Sequence, residues 1–261
     1  MSLIVDVHAH LDHIDFSKDL DKVIKRAKTA GVRAIITNGI NPETNRKSLE
    51  LAEKYDIVKA ALGMYPIDVL RKDIEEGYPL KDEPFNIDSE IDFIKKNKNK
   101  IIALGECGLD FVRSDAFQRK EQINVFEKMI SLAENINKPI IVHSRKAEQS
   151  VLEVLESSSI KKVVLHCFCG KKGLIKKAED KGYYFSIPPN IVRAHNFQYL
   201  VDKVNLSRLL TETDCPYLSP FKGRRNESAF IAETLKKIAE IKMMEVEEVE
   251  KNIFMNYQAL F

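Results

Sequence analysis

The sequence predicts an α/β protein, a (β/α)₈ TIM barrel of the metal-dependent hydrolase type, on three observations. Eight short apolar runs are spread along 261 residues, and each reads as a strand buried on both faces, as a parallel sheet requires. Amphipathic stretches of helical period lie between them, which makes repeated βα units. The glycine-rich dinucleotide fingerprint is absent, which weighs against an open doubly wound sheet, and eight units favour closure. No domain boundary is visible, so residues 1–261 read as one barrel domain.

The elements follow in order. Leu3–Val7 is the first strand, entered directly from the N-terminus without the basic-then-apolar pattern of a signal peptide. Asp19–Ala30 places Leu20, Val23, Ile24 and Ala27 on one helical face, with Gly31 as its stop. Ala34–Thr37 is the second strand, and Pro42–Lys54 is a helix with proline at its first position. Val58–Leu62 is the third strand, followed by a long polar insertion over residues 66–88. Helices at Ser89–Lys96, Gln118–Asn135, Glu148–Leu155 and Gly173–Lys181 alternate with strands at Ile101–Leu104, Ile140–Val142, Lys162–Leu165 and Tyr183–Ile187. Pro188-Pro189-Asn190 reads as a loop, and no helix is assigned before the eighth strand, Arg208–Leu210. Glu227–Glu240 is the last helix of the barrel, and Met243–Phe261 an extra helix closing its end.

Composition removes several classes of function. Charged residues make up 31% with a net charge of only +2, so no strong overall field advertises nucleic acid, although a local basic patch would suffice. No run approaches the roughly 18 apolar residues of a membrane helix. The four cysteines, Cys107, Cys167, Cys169 and Cys215, each stand near a candidate ligand rather than in a disulfide framework. The expected compartment is therefore the reducing cytoplasm.

Active sites of this fold sit at the C-terminal ends of the strands. Strand one ends in Asp6-Val7-His8-Ala9-His10, strand four in Gly105-Glu106-Cys107-Gly108, strand five in His143-Ser144-Arg145, strand six in His166-Cys167-Phe168, and strand eight in Thr211-Glu212-Thr213-Asp214-Cys215-Pro216. Four of the six histidines fall at these ends. Alternation along a strand puts His8 and His10 on one face, both toward the barrel mouth. Any one of these residues alone reads as a satisfied core histidine, a helix cap or an ion-pair partner. Converging on one mouth, they would be costly without cations. His8, His10, Glu106, His143, His166 and Asp214 are the expected ligands. Six are too many for one catalytic zinc, so two divalent ions are expected, Mg²⁺, Mn²⁺ or Zn²⁺, with Glu106 as the bridge. His13 and His195 lie in polar loops and read as surface or supporting residues.

At these residues the chain closely resembles the TatD-like deoxyribonucleases, a branch of the metal-dependent amidohydrolase superfamily. The matching segments are Asp6–Asp12, Gly105–Asp110, Pro139–Arg145, His166–Gly170 and Leu210–Pro216, and the ending Asn256–Phe261 is also similar. The resemblance implies a TIM barrel, divalent metals, and ligand roles for the six residues above. It implies that Asp214 is also a general base, with Glu106 beside it in the catalytic set, and that DNA is hydrolysed at its phosphodiester bonds, exonucleolytically. One departure bears on substrate. Family members commonly carry Gly-x-His-Pro after strand three, where this chain has Gly63-Met64-Tyr65-Pro66. Tyr65 can still hydrogen-bond a phosphate oxygen but supplies neither a cation nor an imidazole.

The leading expectation is a metal-dependent deoxyribonuclease with DNA as substrate and no membrane partner. Arg145, Tyr65 and Arg113 are the candidate substrate-binding residues, and Lys222, Arg224 and Arg225 form a basic run after strand eight. The run reads equally well as a solvated loop. The alternative is an amidohydrolase acting on a small amide, ester or lactone with the same metals. A carboxylated lysine often bridges metals in such enzymes, and Glu106 in that place favours the nuclease. A non-catalytic metal-stabilised binding protein would be coordinatively closed, and Asp214 as a candidate base weighs against it.

Overall fold

Ile4–Ala9 (β1) is buried at every residue, which is what an apolar run covered on both faces demands. The computed structural model describes residues 2–70, 85–112 and 114–261. The chain continues through Leu20–Thr29 (α1), Val32–Asn38 (β2), Pro42–Lys54 (α2), Val58–Met64 (β3), Pro66–Leu70 (α3), Ile87–Lys96 (α4), Ile101–Gly108 (β4) and Ala116–Ile136 (α5). It then runs through Ile140–His143 (β5), Glu148–Glu156 (α6), Val163–His166 (β6), Lys172–Asp180 (α7), Tyr184–Ile187 (β7), His195–Lys203 (α8), Leu209–Thr211 (β8), Ile231–Lys242 (α9) and Val246–Leu260 (α10).

The eight strands form one sheet in the order β1 to β8, and every adjacent pair is parallel. The seam between β8 and β1 is closed just beyond the strand ends. Asp214 N–H donates to His8 O at 2.8 Å and His10 N–H to Cys215 O at 3.0 Å. The Thr211 hydroxyl adds a bond to Val5 O at 2.6 Å. This closure is the (β/α)₈ barrel the apolar runs predict, and its strands and helices bury one continuous core.

Local chemistry sets the helix ends. Asn41 and Thr44 form a reciprocal capping box ahead of Pro42 in α2, and Asp115 and Gln118 do the same for α5, each satisfying backbone donors that the first turn leaves unpaired. Asn137 and Met243 end α5 and α9 in the left-handed conformation, which asparagine tolerates well and methionine poorly.

Several expectations are corrected. β1, β4, β5 and β6 run further than their apolar cores, so His8, Glu106, His143 and His166 lie within strands rather than after them. The segment before β8 contains a helix, α8, whose Phe197, Leu200 and Val201 are buried at helical spacing. Pro188-Pro189 and the polar residues around this short stripe mask it in the sequence. The polar insertion begins as the helical turn α3 and ends at α4, and its residues 71–84 lie outside the described residues. A 3-10 turn, Ser228–Phe230, replaces the first turn expected after β8. The terminal helix starts at Val246 rather than Met243 and packs against β8 and β1. No helix among the described residues is long and apolar enough to cross a membrane.

Candidate active site

The strand ends bring all six expected ligands together. Glu106 projects from β4 at the centre, 3% exposed, and its two carboxylate oxygens face different partners. Oε2 lies 3.4 Å from His8 Nε2 and 3.4 Å from His10 Nε2. Oε1 lies 2.8 Å from His143 Nδ1 and 3.2 Å from His166 Nε2. On the first side, the two histidine nitrogens are 3.2 Å apart, and Asp214 Oδ1 is 3.6 Å from His8 and 3.4 Å from His10. On the second side, His143 Nδ1 and His166 Nε2 are 3.2 Å apart.

Backbone geometry makes this convergence possible. Gly108 has φ +141° and lies so close to the His143 backbone that a side chain there would collide with it. Asp214 adopts φ +52° and Cys167 φ +45°, left-handed conformations that cost free energy at non-glycine residues and cluster at functional sites. Asp6 holds the β8 end in place. Its carboxylate, fully buried, accepts from Thr213 N–H at 2.9 Å and from the Thr213 hydroxyl at 2.6 Å, and burial pushes its pKa up to about 7.

Each histidine is oriented by its other ring nitrogen or by stacking. His10 Nδ1 lies 3.1 Å from Asn38 O. His143 Nε2 lies 3.2 Å from Asp110 Oδ2. His166 Nδ1 is 3.5 Å from Glu212 Oε2, beyond good hydrogen-bond geometry. The His8 ring stacks on the His166 ring at 3.9 Å. Asp110 and Glu212 stand inside the motifs already noted in the sequence, yet nothing assigns them a role there. The general habit of ligating histidines, which hand their second nitrogen to a carboxylate or carbonyl, is the signal that could have found them.

The buried imidazoles and carboxylates shift one another strongly. Burial would raise the Glu106 carboxyl, but the His166 and His8 imidazoles hold it well below the usual range. Burial would lower His10, but Asp214 and Glu106 drive it well above its ordinary value. His166 is raised in the same way against burial, by Glu106 and Glu212. His8 is lowered by burial and by the neighbouring His166. Asp214 is held low by His10, against burial.

The donor atoms fit small divalent cations. Ligands about 2.0–2.1 Å from a tetrahedral ion are separated by roughly 3.3 Å. His8 and His10 are 3.2 Å apart, and each lies 3.4–3.6 Å from Glu106 Oε2 and from Asp214 Oδ1. The separations among His143, His166 and Glu106 Oε1 run from 2.8 to 3.2 Å, in a set of three. His166, Cys167 and Glu212 form a further cluster of ligand type behind the second set.

The site opens into a cavity of about 1000 Å³ whose wall includes Tyr65, Arg145, Lys146, Asn190, Asn196 and Tyr217. Arg145 is thus at the mouth as expected. Tyr65 is buried at the cavity wall, with its hydroxyl 3.2 Å from Asp110 Oδ2 and 3.4 Å from His143 Nε2. Arg113 lies outside the described residues. The basic run divides. Arg225 is committed to Asp19 through two bonds of 2.9 and 2.8 Å and lies over the Phe16 ring, whereas Arg224 lies over Phe230. Neither borders the cavity. His195 is exposed, as read, but it begins α8 rather than lying in a loop. His13 is buried and caps the turn Ile14–Phe16, with Nδ1 accepting from Asp15 N–H, so it supports the β1 loop. The four cysteines are unpaired thiols.

A parallel eight-stranded barrel with imidazoles and carboxylates gathered at its C-terminal mouth defines the class of metal-dependent barrel hydrolases. The family follows from the whole chain: residues 5–261 match the model of the TatD related DNases, and the protein belongs to that family. It is 36% identical over 262 residues to "Deoxyribonuclease TATDN3" of Homo sapiens, covering 99% of this chain and 94% of that one. It is 37% identical over 254 residues to an "Uncharacterized metal-dependent hydrolase" of Methanocaldococcus jannaschii, covering 97% and 94%. The crystal structure of YJJV, the TatD homologue from Escherichia coli, superposes with a TM-score of 0.86 at 27% identity over 100% of this chain and 98% of that one.

Proposed function

We propose that the protein hydrolyses phosphodiester bonds of DNA, working from a free end, at a centre of two divalent cations. The observation that carries the reading is the division of Glu106, whose oxygens address two separate donor groups 2.8–3.4 Å away. His8, His10, Asp214 and Glu106 Oε2 would hold one ion, and His143, His166 and Glu106 Oε1 the other. Mn²⁺ and Zn²⁺ suit a set with four imidazoles better than Mg²⁺, which prefers oxygen. Such ions supply Lewis acidity toward a phosphoryl oxygen and lower the pKa of water near them. Relatives support the substrate: one at 36% identity is named a deoxyribonuclease, and one at 28%, from Erwinia amylovora, is named a 3'-5' ssDNA/RNA exonuclease.

The chain's own residues supply the rest. Asp214, at the seam end of the site, accepts the proton of the attacking water. Arg145 at the cavity mouth neutralises a phosphate and orients the strand. Glu106 in the bridging position, where amide-cleaving relatives of the superfamily often use a carboxylated lysine, favours this reading over small amide or ester hydrolysis.

The test is turnover of metal-reconstituted protein on single-stranded DNA, duplex DNA and a panel of uncharged esters and amides. DNA cleavage that weakens with added salt, and an Arg145→Ala variant with a raised KM and a shallower salt slope, are expected. Salt-insensitive ester hydrolysis without DNA cleavage under any metal would transfer the reading to the amidohydrolase alternative.

A further inference from the structure

Three elements of the barrel meet at one carboxylate that the proposed chemistry does not touch. Asp110 follows β4 and is 1% exposed. It is locked to α5, because its N–H donates to Gln122 Oε1 at 2.8 Å and its carbonyl accepts from Gln122 Nε2 at 2.9 Å. Its Oδ1 accepts from Val112 N–H at 2.9 Å. Its Oδ2 faces the Tyr65 hydroxyl from the end of β3 and His143 Nε2 from the end of β5, both at 3.2 Å. The Tyr65 ring also packs edge-on against the His143 ring, centroids 4.9 Å apart.

We infer that Tyr65 is a positioning residue for His143: with Asp110 it fixes the tautomer and the ring plane that turn Nδ1 toward Glu106. The inference rests on the metal reading above. A carboxylate oxygen that accepts from both Nε2–H and a phenol leaves Nδ1 as the lone-pair nitrogen, which is the form a cation needs. The 2.8 Å approach of Nδ1 to Glu106 Oε1 places it on the metal-facing side. His166 has no such close arrangement: its Nδ1 is 3.5 Å from Glu212 Oε2, which accepts from the Ser186 hydroxyl at 2.5 Å, and Glu212 Oε1 accepts from Cys167 N–H and Sγ–H at 2.9 Å each. The three-donor set thus draws its orientation chiefly from the Tyr65–Asp110–His143 contact. Tyrosine suits the task because its phenol is neutral and donates one proton, so it anchors Asp110 without competing for an ion. The residue that departs from the family's histidine therefore serves the metal centre of this chain, and its role is distinct from a direct contact to phosphate.

The experiment is a Co²⁺ titration of metal-free wild type, Tyr65→Phe, Asp110→Asn and the double variant, followed by visible absorption and by competition with a chelator. Tyr65→Phe should weaken one of two binding steps roughly 10–100-fold, the range usual for a residue that orients a ligand, and alter that step's spectrum alone. The double variant should lose little beyond Asp110→Asn, since one contact is removed twice. On DNA, Tyr65→Phe should lower kcat with KM nearly unchanged. Unaltered affinity and spectrum in Tyr65→Phe, or a raised KM with intact metal binding, would overturn the inference even in an enzyme that cleaves DNA. A changed spectrum in a protein that cleaves no DNA would uphold it while removing the nuclease reading.

Discussion

The two donor groups on either side of Glu106 are built differently. The group of His8, His10 and Asp214 sits on the seam of the barrel, where main-chain bonds from Asp214 to His8 and from His10 to Cys215 lock the ligands to one another. With Glu106 Oε2 it offers four donors, the two carboxylate oxygens each 3.4–3.6 Å from both imidazole nitrogens. The group of His143 and His166 sits on β5 and β6, has three donors counting Glu106 Oε1, and takes its orientation chiefly from the Asp110 side chain, 3.2 Å from His143 Nε2. A three-donor set keeps a position open, as catalytic sites do. The difference teaches that one barrel mouth can join one half across its seam and orient the other through a buried carboxylate.

Removing the shared residue tests whether the halves are one centre. Glu106→Ala takes a donor from both, so elemental analysis after Mn²⁺ loading should fall from about two ions per chain to well under one, and turnover should vanish. Retention of one full ion would show that the halves bind independently.

The next effect is confined to the seam half. Asp214 stands at φ +52°, a conformation asparagine tolerates, so Asp214→Asn keeps the backbone, the size and one coordinating oxygen while losing the basic charge. It should retain most of its metal while kcat drops roughly 10²–10⁴-fold, the span of a general base. Turnover near wild type would remove Asp214 from proton transfer, and a loss of turnover matched by a loss of metal would leave it as a ligand only. The Tyr65→Phe titration sharpens the comparison from the other side, with its smaller effect on affinity, roughly 10–100-fold, expected in the three-donor half.

The smallest effect lies away from both halves. Arg225 and Asp19 pair at 2.8 Å with side chains 27% and 30% exposed, so solvent screening limits the pair to about 1 kcal/mol or less. Arg225→Ala should lower Tm by at most a few degrees and leave KM on DNA unchanged. A large rise in KM would restore the basic run after β8 to the substrate path.

Much of this is legible in the sequence. The convergence of His8, His10, Glu106, His143, His166 and Asp214 could be read because each ends an apolar run, and strand ends of a parallel barrel share one mouth. α8 was missed because its buried stripe of Phe197, Leu200 and Val201 is short and follows two prolines. Arg225 looked like a free cation because sequence gives no distance to Asp19, 206 residues away. Asp110 and Glu212 lay within readable motifs, but a supporting carboxylate has no spacing signature of its own.

The sequence by itself determined the strand count, the parallel barrel and the convergence of six imidazole and carboxylate residues, because period, burial and residue type are local properties that an apolar run carries with it. Only the tertiary structure decided which oxygen of Glu106 faces which histidines, that Tyr65 turns toward Asp110 and His143, and that the seam holds four donors against three opposite. Those outcomes depend on separations of 2.8–3.6 Å between residues of different strands. Such separations are set by barrel closure and by left-handed turns at Cys167 and Asp214, and neither is encoded in any single stretch of the chain.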